Sequence, residues 1–336
     1  MRKILPLTRT VYSLIYPETQ RVIDGLLEES LSEGMPFSLT ARPWEKKQDD
    51  AHHEFLQMWR DHVKPVFNPA AYNREDIFDN GYYTNGSSEA IRESITLAFA
   101  KGAKCIHLFE GEYEGYEAYA QGLGMLVIKH PREDYERSIS EWVKENNAFW
   151  VPQYFYVSQP SSIDGDLWKG YHDFAWWLYE YPSFNVMLDL CYVGCTCHNN
   201  YEIKPTNNLH TVFFSLSKVF GVYYYRIGGC FSCEEIPNLE GNKWFKNMFS
   251  LQLGKDLLGS FGLSELPHEH KMRQVNAVRD YNDANDERMF TSDVVMLFRN
   301  TTSHPTEFTR NQTSRLYYNR YCVTPEIQTR FDEAKQ

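Results

Sequence analysis

Long apolar runs are missing from this chain. No segment approaches the roughly 18 to 20 consecutive apolar residues that a helix needs to cross a bilayer. The start, Met1-Arg2-Lys3-Ile4-Leu5-Pro6-Leu7, has basic residues without the apolar stretch or small-residue cleavage site of a secretion signal, so none is expected. Basic clusters are missing too: 34 Lys and Arg stand against 45 Asp and Glu, a formal charge of −11, and no stripe of cations follows a phosphate backbone. Membranes and nucleic acids are therefore not expected partners. Cysteine is scarce, seven in 336 residues, an odd number at spacings that suggest no disulfide framework, so reduced thiols and a cytoplasmic location are expected. Cys191, Cys195, Cys197 and His198 crowd together, but C-x-C-H lacks a second pair at finger-like spacing and is not the C-x-x-C-H of haem attachment, so no metal is expected.

What the chain does have is an alternation. Strand-like runs at 104–109, 124–129, 151–157, 184–190, 211–215 and 226–232 are separated by amphipathic or glycine-bounded stretches, an α/β order. The length allows one large core and a smaller one. Leu263 to Arg288 is polar and helix-like, and Met289 to Phe298 is strand-like after it. These signals predict a large domain over 46–235, with Pro43-Trp44 near its start, and a small domain from 1–45 and 236–336.

The chemistry concentrates at strand ends. Phe214-Ser215-Leu216-Ser217-Lys218-Val219-Phe220-Gly221 follows an apolar strand and runs on to Arg226, eight residues after the lysine, and to the pair Gly228-Gly229. A lysine there can lose its proton and condense with an aldehyde, while Ser215, Ser217 and Arg226 grip a phosphate. In Phe184-Asn185-Val186-Met187-Leu188-Asp189-Leu190-Cys191-Tyr192 an apolar run ends in a carboxylate with a phenol three residues on. A carboxylate keeps a pyridine nitrogen protonated, and a phenol can bond the ring's 3-oxygen. Upstream, Gly86-Ser87-Ser88-Glu89 opens a helical pattern in which Ile91, Ile95 and Ala98 share a face and Gly102 supplies the stop. Free amides and hydroxyls at that helix start suit a phosphate, and an ordinary serine N-cap is the alternative.

Together these segments resemble the fold type I, class I/II aminotransferases, which depend on pyridoxal 5'-phosphate. The carriers are the S-x-S-K-x-F-G-x-x-x-x-R-x-G run, the order Asp189, Tyr192, Lys218, and the Gly86-Ser87-Ser88-Glu89-Ala90-Ile91 turn, whose G-x-x-E-x-I form is similar to the histidinol-phosphate branch. The resemblance implies an α/β fold with a mostly parallel sheet of seven-stranded type, helices on both faces, and a small α+β domain from the two termini. It also implies the site. Lys218 holds the cofactor, Asp189 and Tyr192 face its ring, and Gly86, Ser87, Ser88, Ser215, Ser217 and Arg226 take its phosphate. Tyr113 stacks on the ring, with Tyr116 the alternative if the loop is shifted by a turn. Ser162 falls where the family's N-P-N-N-P-T-G asparagine bonds the 3-oxygen, and here the loop reads Ser158-Gln159-Pro160-Ser161-Ser162. Arg320, with Arg310 and Arg315 as competitors, holds the substrate carboxylate. Amino acid and 2-oxo acid substrates and a homodimer are implied. Aminotransfer is the expected reaction. The departure at Ser162 leaves open a lyase, decarboxylase, cyclase or oxidase acting on an amino acid in a specialised pathway.

Overall fold

The structure, a computed structural model, describes residues 8, 10–29, 48–243, 246–285, 288–300 and 320–333. Pro43, Trp44, Arg310 and Arg315 lie outside the described residues. In chain order the elements are α1 (Pro17–Glu29), α2 (Gln48–Val63), β1 (Asn80–Asn85), α3 (Ser87–Ala100), β2 (Cys105–Phe109), α4 (Glu114–Gly122), β3 (Leu126–His130), α5 (Tyr135–Asn146), β4 (Gln153–Ser158), α6 (Tyr171–Tyr179), β5 (Phe184–Asp189), β6 (Leu209–Ser215) and β7 (Ile227–Ser232). There follow α7 (Pro237–Asn242), α8 (Met248–Ser260), α9 (Glu265–Asn285), β8 (Met289–Thr291), β9 (Leu297–Asn300), β10 (Arg320–Cys322) and α10 (Thr324–Glu333).

A seven-stranded sheet in the order β1-β7-β6-β5-β4-β2-β3 forms the centre. Every pairing from β3 to β6 is parallel, and β7 alone runs against its neighbours β6 and β1. The cause is visible in the strands: β2 and β4 are buried at every position, as a strand covered on both faces must be. Alternate residues feed two separate cores. Phe155, Val157, Val186, Leu188 and Phe214 face one layer, while Tyr154, Tyr156, Met187 and Phe213 face the other, against Ile91, Ile95 and Ala98 of α3. Gly102 ends that helix's connection at φ 89°, as the sequence predicts.

Each strand-like run of the sequence becomes a strand to within two residues. Two elements differ from expectation. β1 is not foreseen, because Asn80-Gly81-Tyr82-Tyr83-Thr84-Asn85 is polar at both ends. It is an edge strand whose outer side is covered by α2, and the Tyr83 amide donates to His52 Nε2 at 2.9 Å. The run Met289 to Phe298 is two strands rather than one. Ser292 Oγ donates to the Asp164 carbonyl at 2.5 Å and the Asp293 amide to Asp166 Oδ1 at 3.0 Å, which pulls the middle of the run out to the 164–166 loop. β8, β9 and β10 make an antiparallel three-stranded sheet. The N-terminal segment joins it: Thr8 bridges Cys322, and Thr324 Oγ1 donates to the Tyr12 carbonyl at 2.8 Å.

Between β2, β3 and β4 a buried chain of polar groups has only one consistent proton order. The Gln153 amide nitrogen donates to the Val151 carbonyl, so its oxygen accepts from His107 Nε2 at 3.1 Å. His107 Nδ1 then accepts from His130 Nε2 at 3.0 Å, and His130 Nδ1 accepts from Ser138 Oγ at 2.8 Å. Both rings are neutral, with burial pulling His107 down to about 3 and His130 to about 4. A histidine held that low protects the fold above its ordinary range near 6.5, and the protection is lost as pH falls toward the folded value. His130→Gln keeps a donor for His107 and removes one titrating ring. Its stability deficit against wild type, measured by urea unfolding, is expected to shrink by about 2 kcal/mol between about pH 7 and about pH 5; a deficit independent of pH means that His130 is not held neutral.

Candidate active site

The C-terminal ends of β4, β5 and β6 and the first turn of α3 surround a cavity of about 550 Å³, at the strand ends where open α/β sheets take ligands. Of the residues singled out from sequence, Ser87, Ser88, Tyr113, Ser162, Asp189, Tyr192, Ser215, Ser217, Lys218, Arg226 and Arg320 all line it. Gly86 lies behind the wall as the N-cap of α3.

Lys218 follows β6 on the turn that the apolar strand leads into. Its ammonium donates to the carbonyl of Val11, so the segment before α1, with Thr10 and Val11 in the lining, forms part of the wall. Burial lowers the Lys218 ammonium below its ordinary range, and the neighbouring Arg320 guanidinium adds to the effect. Ser13 Oγ donates to the Ser217 carbonyl at 2.6 Å, holding the same segment against the lysine turn.

Asp189 ends β5 and is buried at 6 % exposure. Its Oδ1 accepts the Cys191 amide at 2.8 Å and its Oδ2 the Tyr116 hydroxyl at 2.7 Å. Burial pushes its carboxyl above the usual range, and hydrogen bonds from the Cys191 side chain, the Tyr116 hydroxyl and the Cys191 amide offset part of that. Tyr116 is thus not the alternative stacking ring. It sits one helical turn after Tyr113, is fully buried, and is spent on Asp189. Tyr113 remains at the surface of the cavity, 38 % exposed, edge-on to Tyr116 with ring centroids 5.4 Å apart. Tyr192 is buried, and burial raises its phenol while Arg320 pulls it back.

The phosphate-like corner is built by close approach. α3 starts without a side-chain cap, so Ser87 and Ser88 are not ordinary N-caps, and Glu89 reaches back to accept the Asn85 amide at 2.7 Å. β7 passes directly beneath: a Cβ on Gly228 would stand 2.8 Å from both the Gly86 Cα and the Ser87 amide nitrogen. Gly86 itself, at φ 77°, leaves room that a side chain would fill, 2.9 Å from Arg226 Nη2. Arg226 Nη2 donates to Ser88 Oγ at 3.4 Å. The Ser217 hydroxyl is buried with no partner, which a buried polar group does not tolerate without a ligand or water. Arginine, serine hydroxyls and helix-start amides are the donor set an anion requires.

Sequence reasoning missed Glu112. Flanked by Gly111 and Tyr113 in an acidic loop, it reads as solvated, yet it is 4 % exposed. Its carboxylate accepts the Ser158 amide at 3.1 Å, Ser158 Oγ at 2.7 Å and Ser162 Oγ at 2.5 Å. Ser162 is therefore in the cavity wall with its proton already committed, and its carbonyl accepts from the buried Arg320. Val11 gave no usable signal, since a carbonyl has no residue type, and Tyr116 was singled out for its place beside Tyr113 and not as a donor to Asp189.

The fold is shared with solved structures of aminotransferases and of a decarboxylase. Among solved structures, histidinol-phosphate aminotransferase from Sinorhizobium meliloti in complex with pyridoxal-5'-phosphate superposes with a TM-score of 0.65 at 14% identity, covering 99% of this chain and 91% of that one. A probable N-succinyldiaminopimelate aminotransferase from Thermus thermophilus gives 0.66 at 14% identity over 99% and 93%. L-threonine-O-3-phosphate decarboxylase from Porphyromonas gingivalis gives 0.60 at 16% identity over 98% of both chains. No family profile and no curated protein matches the sequence.

Tyr116→Phe removes one of the donors to a buried carboxyl, leaving those of Cys191. It is expected to cost about 1–3 kcal/mol in urea unfolding; a neutral effect would show that Asp189 does not depend on that bond.

Proposed function

We propose that this chain is a pyridoxal-phosphate-dependent aminotransferase, moving an amino group between an amino acid and a 2-oxo acid. One observation carries the reading: a lysine with a depressed ammonium shares a cavity with a buried carboxylate, an arginine–serine corner and a second, buried arginine. The cofactor fits on two counts, the unpartnered Ser217 hydroxyl and the cradle left open by Gly86 beneath Arg226.

When bound, pyridoxal phosphate supplies an aldehyde that takes up amines and a ring that draws electrons from the substrate's Cα. The rest is the protein's work. Gly86, Ser87, Ser88, Ser215, Ser217 and Arg226 hold the phosphate. Asp189 would accept a hydrogen bond from the protonated ring nitrogen and so keep it cationic, Tyr192 and Ser162 would flank the 3-oxygen, and Tyr113 would cover the ring face. Lys218 is the nucleophile toward the aldehyde and then holds the proton that leaves Cα, a task that burial helps by favouring the neutral amine. Arg320, fixed by the Ser162 carbonyl, presents its guanidinium to the substrate carboxylate. Under the same reading the enzyme is a cytoplasmic homodimer. Its cofactor unit is 46–235 and its second unit 1–45 with 236–336, a division supported by the pairing of Thr8 with Cys322.

A second reading keeps cofactor and anchor and changes the outcome to a lyase, decarboxylase, cyclase or oxidase reaction on an amino acid. The observation that favours it is the Ser162 hydroxyl turned to Glu112.

Reduction of the cofactor-loaded protein with borohydride, followed by peptide mass mapping, is expected to leave the cofactor mass on the peptide carrying Lys218 and to leave Lys218→Ala unlabelled. Addition of amino acids without an oxo-acid acceptor is expected to bleach the visible band to that of the aminated cofactor. Label elsewhere, or a protein that takes up no cofactor, overturns the assignment.

A further inference from the structure

Among the described residues, Ser158 at the end of β4 and Ser162 in the turn after it are the hydroxyls this segment contributes to the cavity, and both donate to Glu112. Ser158 Oγ gives its proton to Glu112 Oε2 and accepts the Ser162 amide at 2.7 Å. Ser162 Oγ gives its proton to the same Oε2. With Glu112 ionised, Ser162 therefore offers the cavity lone pairs and no proton, since a hydroxyl has one hydrogen. An oxygen anion placed there would meet an acceptor.

The geometry changes sense if Glu112 takes up a proton. A protonated carboxyl has its own hydrogen to give. It can donate to Ser162 Oγ, and the Ser162 hydrogen is then free to turn into the cavity. We propose that Glu112 and Ser162 form a proton-linked donor switch in the cavity wall: ionised Glu112 makes Ser162 an acceptor, and protonated Glu112 makes it a donor to the 3-oxygen of the bound cofactor. The exchange balances with one proton drawn from solvent through the cavity onto Glu112 and a rotation of the Ser162 hydroxyl, with no bond to carbon made or broken.

The surroundings place this change within reach. Among the described residues no cation is bonded to Glu112. Its charged and titratable neighbours are Asp189 on β5, whose negative charge opposes its ionisation, and Tyr116 on α4, bound to Asp189. Arg320 on β10 is tied to the Ser162 carbonyl. Burial is the main force raising the Glu112 carboxyl above its usual range, and the serine donors oppose it. The switch does by protonation what a fixed side-chain amide does at all pH values. Glu112 is thus a positioning residue acting through Ser162, and the inference rests on the cofactor reading above.

Glu112→Gln mimics the protonated state, since its amide nitrogen can donate permanently to Ser162 Oγ. The readout is the visible absorption of the cofactor held by Lys218, titrated with pH without substrate. A donor at the 3-oxygen together with loss of a nearby negative charge favours the deprotonated chromophore. The midpoint in Glu112→Gln is expected at least about one pH unit below wild type, a tenfold change in that proton equilibrium. Ser162→Ala retains the Glu112 charge and removes the hydroxyl that the switch turns into a donor, so its midpoint is expected above that of wild type. Adding Glu112→Gln to it is expected to lower the midpoint by less than the same change does in wild type. Equal midpoints in wild type, Glu112→Gln and Ser162→Ala overturn the switch. If Glu112→Gln does not fold, a Ser162→Ala titration superimposable on wild type overturns it alone. A wild-type protein with no visible band overturns instead the cofactor reading on which the switch stands.

Discussion

The carboxylate of Asp189 sits at the end of the middle strand of a sheet covered on both faces. A charge in such a place is costly unless donors surround it or a cation comes to it. The fixed donors are the Tyr116 hydroxyl and the amide and side chain of Cys191. The remaining lone pairs belong to whatever enters the cavity. Around this one group the rest is arranged: α4 is positioned to bring Tyr116 down onto it, the turn after β4 is held by a Gln159 amide donating to the Asp189 carbonyl at 2.9 Å, and Lys218 enters from the next strand. Under the proposed reading a protonated ring nitrogen is the cation that such a carboxylate calls for.

Charge balance extends that logic outward. Asp189 and the Glu112 carboxyl behind the wall are both raised by burial, and Asp189 further raises Glu112. Lys218, Arg226 and Arg320 line the same cavity. The local field thus alternates in sign over a few residues, and the chain's overall charge of −11 says little about it. Such alternation suits a ligand that is itself anionic at a phosphate, cationic at a ring and anionic again at a carboxylate.

Most of the sheet was legible in the sequence because strands buried on both faces, such as β2 and β4, are nearly unbroken apolar runs, and all six strand-like runs became strands. The places of Lys218 and Asp189 in the cavity wall were legible because each stands at the end of an apolar strand. Gly228 was visible only as half of a glycine pair, and its purpose, letting β7 pass under the start of α3, needs the third dimension. β1 was illegible because an edge strand covered by one helix has no period to display. Glu112 was illegible for a different reason: its burial depends on two serines forty-six and fifty residues away in the chain, and no local pattern separates an acid that will be buried from one that will be wet. Tyr116 was noticed for the wrong role, since its position one turn beyond Tyr113 announces a neighbour of the site without saying which way the ring turns.

The pairing of β1 with β7, from Asn80 against Ser232 to Asn85 against Ile227, also sets an order in time. The Gly86–Ser88 corner cannot take its final position until a partner strand roughly 140 residues later has been made. During synthesis the half of the anion corner that comes first must wait, with one strand edge open, for the half that carries Arg226. Contacts of such long range are slow to close and leave nascent chains prone to wrong partners. Assembly of the corner therefore comes late in folding, and an anion bound there would act as a latch on the finished fold, stabilising the native state only once both ends of the sheet have met.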